Sequence, residues 1–151
     1  MLRIRINCPD TDTIAAISTP AGEGGIGIVR LSGPRALKIA DLIFTSNNKS
    51  KPSQFGTYTT HYGRIVNSGK VIDEVILTVM RSPKSYTRED IVEINCHSGS
   101  QPLKRILDLV LESGARLGEG VTGGRKLPAP GFVDLLAARA DPRGHLAQGA
   151  A

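Results

Sequence analysis

A chain of 151 residues, 40% apolar and 22% charged, is about one domain long and can bury a core. No run reaches the roughly 18 uninterrupted apolar residues of a membrane-spanning helix, and Arg3 and Arg5 lack the ~7–15-residue apolar run of a secretory signal after them. The formal charge of +5 raises the expectation of an anionic ligand or RNA nearby without showing one; Cys8 and Cys96 fit neither a disulfide framework nor a zinc site, so a reducing, cytoplasmic setting without membrane contact is expected.

Residues 13–117 show periodic segments, whereas residues 118–151 are rich in Ala, Gly and Pro. Residues 13–19 (TIAAIST) read as a short strand stopped by Pro20 and the glycines that follow, and residues 26–31 (IGIVRL) as a second. Ser32-Gly33-Pro34 ends that strand and can start a helix, with Ser32 as a cap and Pro34 in the first turn. Leu37, Ala40, Ile43 and Phe44 then share a helical face, and residues 45–55 read as polar and flexible. Two strands, 58–66 and 71–80, flank Asn67-Ser68-Gly69-Lys70 and predict a hairpin. Apolar residues on both sides of the second arm suggest a strand largely covered by its neighbours. Residues 91–97 alternate, with Val92, Ile94 and Cys96 on one side and Ile91, Glu93, Asn95 and His97 on the other. The clearest helix spans 102–113, where Leu103, Ile106, Leu107, Val110 and Leu111 make one stripe and Gly114 a stop. The order of elements predicts an α+β fold, a mixed sheet with packed helices, and leaves the strand order open.

Gly22-Glu23-Gly24-Gly25-Ile26-Gly27 satisfies the dinucleotide pattern, yet that pattern needs a helix immediately afterwards, and a strand follows here. A turn or a close backbone approach is the better reading. No phosphate-binding P-loop pattern occurs in the chain. Cys96 and His97 are adjacent and do not offer two ligands on one side of a strand, and His61 reads as a satisfied sheet residue. Glu93 lies mid-strand between apolar neighbours, where an unpaired carboxylate is costly to bury. It either faces solvent, pairs with a lysine, or waits for a ligand with two parallel donors, such as the ring N–H and exocyclic amine of a pterin. Arg30, within IGIVRLS, is either a solvated strand residue or needs an anionic or acceptor partner.

Several separated blocks occur together: Asp12-Thr13-Ile14-Ala15-Ala16, the run TPAGEGGIGIVRLSG over residues 19–33, SPKSYTRED over 82–90, IVEINCH over 91–97 and SGARL over 113–117. In this order they closely resemble the opening of the MnmE/TrmE family of tRNA-modification GTPases, over residues 12–117. The resemblance implies a homodimeric domain that binds a tetrahydrofolate derivative, 5,10-methylene- or 5-formyl-tetrahydrofolate. It implies a fold similar to the folate-binding domain of aminomethyltransferase-like proteins. In the complete family protein a GTPase domain using GTP, Mg and K follows; with the flavin-dependent partner MnmG it modifies carbon 5 of the wobble uridine (U34) of certain tRNAs. The family's folate-binding arginine and glutamate match Arg30 and Glu93, and no catalytic or metal-binding residue is carried over.

The implied organisation is an N-terminal extension over 1–11, the family domain over 12–117 and a divergent, partly disordered tail over 118–151, without the GTPase domain. In that tail Glu119, Gly131, Asp134 and Leu135 still fit the family pattern, but its further basic folate contact is Phe132, which carries no charge. A diverged tail and a disturbed reading frame both account for this. The expectation is loop over 118–131 and at best a short helix over 133–140. Two other functions stay open: a stand-alone aminomethyltransferase-like folate enzyme, with only Asp90, Cys96 and His97 as candidate catalysts, or a dimerising fragment that binds no folate.

Overall fold

The structure, a computed structural model, describes residues 12–20 and 24–118. Its elements in chain order are β1 (Ile14–Ile17), β2 (Ile26–Ser32), α1 (Ala36–Ile43), β3 (Phe44–Ser46), a 3-10 turn (Pro52–Gln54), β4 (Thr59–Asn67), β5 (Lys70–Met80), β6 (Ile91–His97), α2 (Ser100–Glu112) and β7 (Arg116–Leu117). The strands form one sheet ordered β3-β4-β5-β6-β2-β1-β7, with every pair antiparallel except β1 and β7. A mixed sheet with two packed helices is the α+β class that the element order predicts. The expectations for residues 1–11 and for the tail past Gly118, including Phe132 and the helix over 133–140, lie outside the described residues.

Alternation decides which side of the sheet is dry. Val29 and Leu31 of β2, Val92 and Ile94 of β6, and Leu77 and Val79 of β5 point one way and are fully buried. They form one cluster with Ile39 and Ile43 of α1 and Ile106 and Val110 of α2. Burying each of these side chains contributes about 1.5–3 kcal/mol, so this layer is the main source of stability. The other face carries, in one row across five strands, Ala16, Arg30, Glu93, Thr78 and Thr60. The hairpin between β4 and β5 closes at Ser68 and Gly69, whose φ values of 49 and 79 suit a two-residue turn between twisted strands.

Three expectations are corrected. Ser32 does not cap α1: it ends β2, its hydroxyl is committed elsewhere, and Gly33 at φ 134 turns the chain away. The helix N-cap is Arg35, without a side-chain cap bond, and the Arg35 N–H donates to Thr13 Oγ1 at 2.9 Å. Phe44 leaves the helix although it fits the stripe, because its extended backbone pairs with Ile65 while its ring stays buried. Residues 45–55 are more ordered than their polarity suggests. Thr45 and Ser46 complete β3, the buried Ser46 hydroxyl meets Asn48 Oδ1 at 2.8 Å and Ser50 O at 2.7 Å, and Asp41 holds the 3-10 turn through the Ser53 N–H at 2.8 Å. Finally, β7 pairs with β1 across about a hundred residues of chain, a partnership that no local pattern announces.

Candidate functional site

Antiparallel register sets Arg30 of β2 directly opposite Glu93 of β6, both on the face away from the helices. Direct cross-strand neighbours have Cβ atoms about 4.5–5.5 Å apart, close enough for a guanidinium and a carboxylate to meet. They do: Arg30 Nε donates to Glu93 Oε1 at 2.7 Å, and Arg30 Nη2 lies 2.6 Å from the same oxygen. Their side chains are 17% and 13% exposed, so neither is a solvated surface charge. Both donors converge on Oε1; among the described residues nothing donates to Oε2. The second oxygen is thus left to solvent or to an incoming molecule, from which it can accept.

Residues 82–90 build the wall beside this pair. Ser32 Oγ donates to Glu89 Oε2 at 2.7 Å and stands 2.7 Å from Thr87 Oγ1. Ser32 has one hydroxyl hydrogen, and the carboxylate takes it, so Thr87 is the donor in the second contact. The segment also folds on itself: Asp90 Oδ1 accepts the Ser82 N–H at 2.9 Å, and Ser82 Oγ donates to Arg88 O at 2.9 Å. These bonds carry Tyr86 to a position where its ring centroid is 5.3 Å from Arg30 Cζ, a cation–π distance. Next to it opens a hollow of about 510 Å³, within the usual range for small-molecule sites. Its floor includes Thr78, the cross-strand partner of Glu93.

Arg30 and Glu93, carried over separately from the family pattern, are thus brought into one group. Of the open readings of Glu93, the pairing is with an arginine, not a lysine. The other sequence candidates are dispersed. Cys96 is buried on the helix side and its thiol donates to Gly27 O at 3.3 Å. His97 is exposed at the strand end, with Nδ1 2.8 Å from Asp73 Oδ1. His61 stacks on Phe55 at 3.4 Å between ring centroids and contacts Thr59 Oγ1 at 2.9 Å, a satisfied sheet residue as expected. Among the described residues no group of His, Cys, Asp or Glu could hold a metal ion. Sequence reasoning missed Tyr58, Thr78, Lys84 and Tyr86 as lining residues. The available signal was two tyrosines beside strand ends, one of them in the quoted SPKSYTRED run.

Comparison with known proteins places the chain. The family described as the N-terminus of the GTP-binding protein TrmE matches residues 13–120. The chain is 49% identical over 131 residues to the tRNA modification GTPase MnmE of Carboxydothermus hydrogenoformans and 50% identical over 131 residues to that of Geobacillus kaustophilus. It is 50% identical over 129 residues to that of Listeria innocua. Each similarity takes in 85% of this chain and 28% of the relative, so the chain spans little more than a quarter of these proteins' length. The separated motifs, the α+β fold that carries them and the match over residues 13–120 agree: the chain belongs to the TrmE N-terminal family.

Proposed function

We propose that this chain binds a tetrahydrofolate derivative, 5,10-methylene- or 5-formyl-tetrahydrofolate, and self-associates as a homodimer, as the folate module of a tRNA-modification GTPase that acts on wobble uridine together with tRNA and MnmG. One observation carries the reading: the Glu93 carboxylate, paired with Arg30 through one oxygen, stands across from Thr78, which lines a hollow with an aromatic wall. A reduced pterin presents a ring N–H and an amine side by side, and a carboxylate with one unbonded oxygen is a matching acceptor. Arg30 then serves twice. It holds Glu93 oriented before the ligand arrives, and it offers donors to the pterin carbonyl once the ligand shares the carboxylate. The residues present therefore fit the group. When bound, the folate would supply the one-carbon unit.

The stand-alone enzyme is less well supported. Its three candidate catalysts are spread over both faces: Cys96 under the helices, His97 paired with Asp73, and Asp90 tied to the Ser82 N–H.

Isothermal titration of the 151-residue chain with 5-formyltetrahydrofolate tests the proposal. Wild type should bind, and Glu93→Gln, which keeps the shape but replaces one acceptor by a donor, should bind at least about tenfold more weakly, since hydrogen bonds to charged groups contribute about 1.5–3 kcal/mol. Equal affinity in the two proteins, with equal melting temperatures, would remove Glu93 from the site.

A further inference from the structure

The Arg30–Glu93 pair does not itself line the hollow: it adjoins one end through Thr78, the cross-strand partner of Glu93, and leaves the other end unexplained. That other end is built from Tyr58 before β4, Met80 of β5, and Pro83, Lys84 and Tyr86 of the 82–90 segment. Met80 lies two residues beyond Thr78 on the same face, so the floor runs continuously away from Glu93. Tyr58 and Tyr86 line this space yet remain 64% and 57% exposed. Large aromatic surfaces left wet beside a concavity are surfaces that a flat ligand can cover. The backbone of Tyr58 is anchored, since its N–H donates to Val79 O at 2.8 Å. Among the described residues Lys84 is the single cation lining the hollow, and none of them gives it an ion pair or hydrogen bond.

We propose that this end of the hollow seats an aryl group between Tyr58 and Tyr86 and that Lys84 neutralises a carboxylate at the far end of the same ligand. The inference rests on the folate reading and deepens it. The pterin edge lies at Glu93, the aminobenzoyl ring crosses the tyrosines, and the glutamate carboxylates reach Lys84. Lys84 is then a specificity residue that separates folates from reduced pterins lacking the arm, and it favours ligands with more carboxylates at that end. An ammonium on a four-carbon stem suits this task, because it follows a mobile anion without demanding one geometry.

The test uses two probes, 5-formyltetrahydrofolate and 6-methyltetrahydropterin, which has no aryl-glutamate arm, titrated into wild type, Lys84→Ala, Lys84→Arg and Glu93→Gln. Lys84→Ala should weaken the folate about three- to fivefold at low salt, as expected for an exposed ion pair. The deficit should shrink near 0.5 M salt, where screening is strong. Lys84→Arg should restore binding, and the arm-less pterin should not distinguish wild type from Lys84→Ala. If Lys84→Ala binds the folate as wild type does, the arm assignment is overturned while the pterin reading stands. If Glu93→Gln binds both probes normally, or if wild type binds neither, the pterin reading falls and this inference falls with it.

Discussion

Cys96 shows how one residue records the difference between the two faces of the sheet. It sits on β6 next to Asn95 and His97, which face the other way, yet it is buried beneath the helices. Burial first, and then the nearby Asp73 charge, push its thiol up to about 11 from an ordinary value of 9.0. The folded chain therefore holds this proton more tightly than the unfolded chain does. Its contribution to stability is complete below the unfolded value, declines as pH rises between the two, and is lost above the folded one. Urea midpoints measured at about pH 8 and about pH 10.5 should fall more steeply for wild type than for Cys96→Ala, because the alanine protein has no thiol to ionise. Parallel declines would mean that the thiol is not shielded. At the same scale, alternation alone put Glu93 and Cys96 on opposite faces of one strand. It could not pair Glu93 with Arg30, because that needs the register between β2 and β6, which are separated by α1, β3, the 3-10 turn and the β4–β5 hairpin.

Elements were legible where their signal is local. The β4–β5 hairpin closes through its Ser68-Gly69 turn, β6 spans the residues its alternation marks, and α2 buries Ile106, Leu107 and Val110 from the expected stripe. Elements that depend on a distant partner were not. Phe44 satisfies a helical stripe and a buried strand equally well, and only pairing with Ile65 chooses between them. Two glycines show how tightly these partnerships are drawn. A Cβ at Gly27 would stand 2.8 Å from Leu103 Cδ1, the mobile end of a side chain on α2. A Cβ at Gly63 would strike the Phe44 ring and lie 2.5 Å from the Thr45 carbonyl oxygen, which belongs to the backbone of β3. A side-chain tip can move aside, whereas a paired strand cannot without breaking its ladder. Gly63→Ala should therefore cost about 3 kcal/mol and Gly27→Ala about 1 kcal/mol, with urea unfolding as the measurement. The reverse order would mean that α2, not β3, is the more rigid neighbour.

For the whole molecule, the asymmetry of cover is the dominant fact. Among the described residues both helices lie on one face, and the other keeps Ile76 and Tyr62, direct cross-strand partners, 49% and 50% exposed, with Ile26 of β2 on the same face at 62%. Isolated apolar residues on a surface are ordinary; three large ones on one sheet face that no described helix covers point to a partner surface. The partner in the proposed function is a second copy, and a two-fold interface requires a patch that can meet itself, which a flat apolar sheet face can do. Polar residues frame it. Glu74 is held below the usual carboxylate range by the Tyr62 hydroxyl first and then by Arg64, and its ion pair with Arg64 at 3.2 Å lies at the margin of this face. Such a rim favours one docking register without supplying much affinity. Ile76→Glu should thus convert the dimer into monomers in sedimentation equilibrium, since each copy would bring an unpaired carboxylate to the centre of the seam. The position is half exposed in the single chain, so the melting temperature extrapolated to low concentration should change little. A dimer that survives Ile76→Glu with wild-type affinity would place self-association on another surface and leave this apolar face to a different partner.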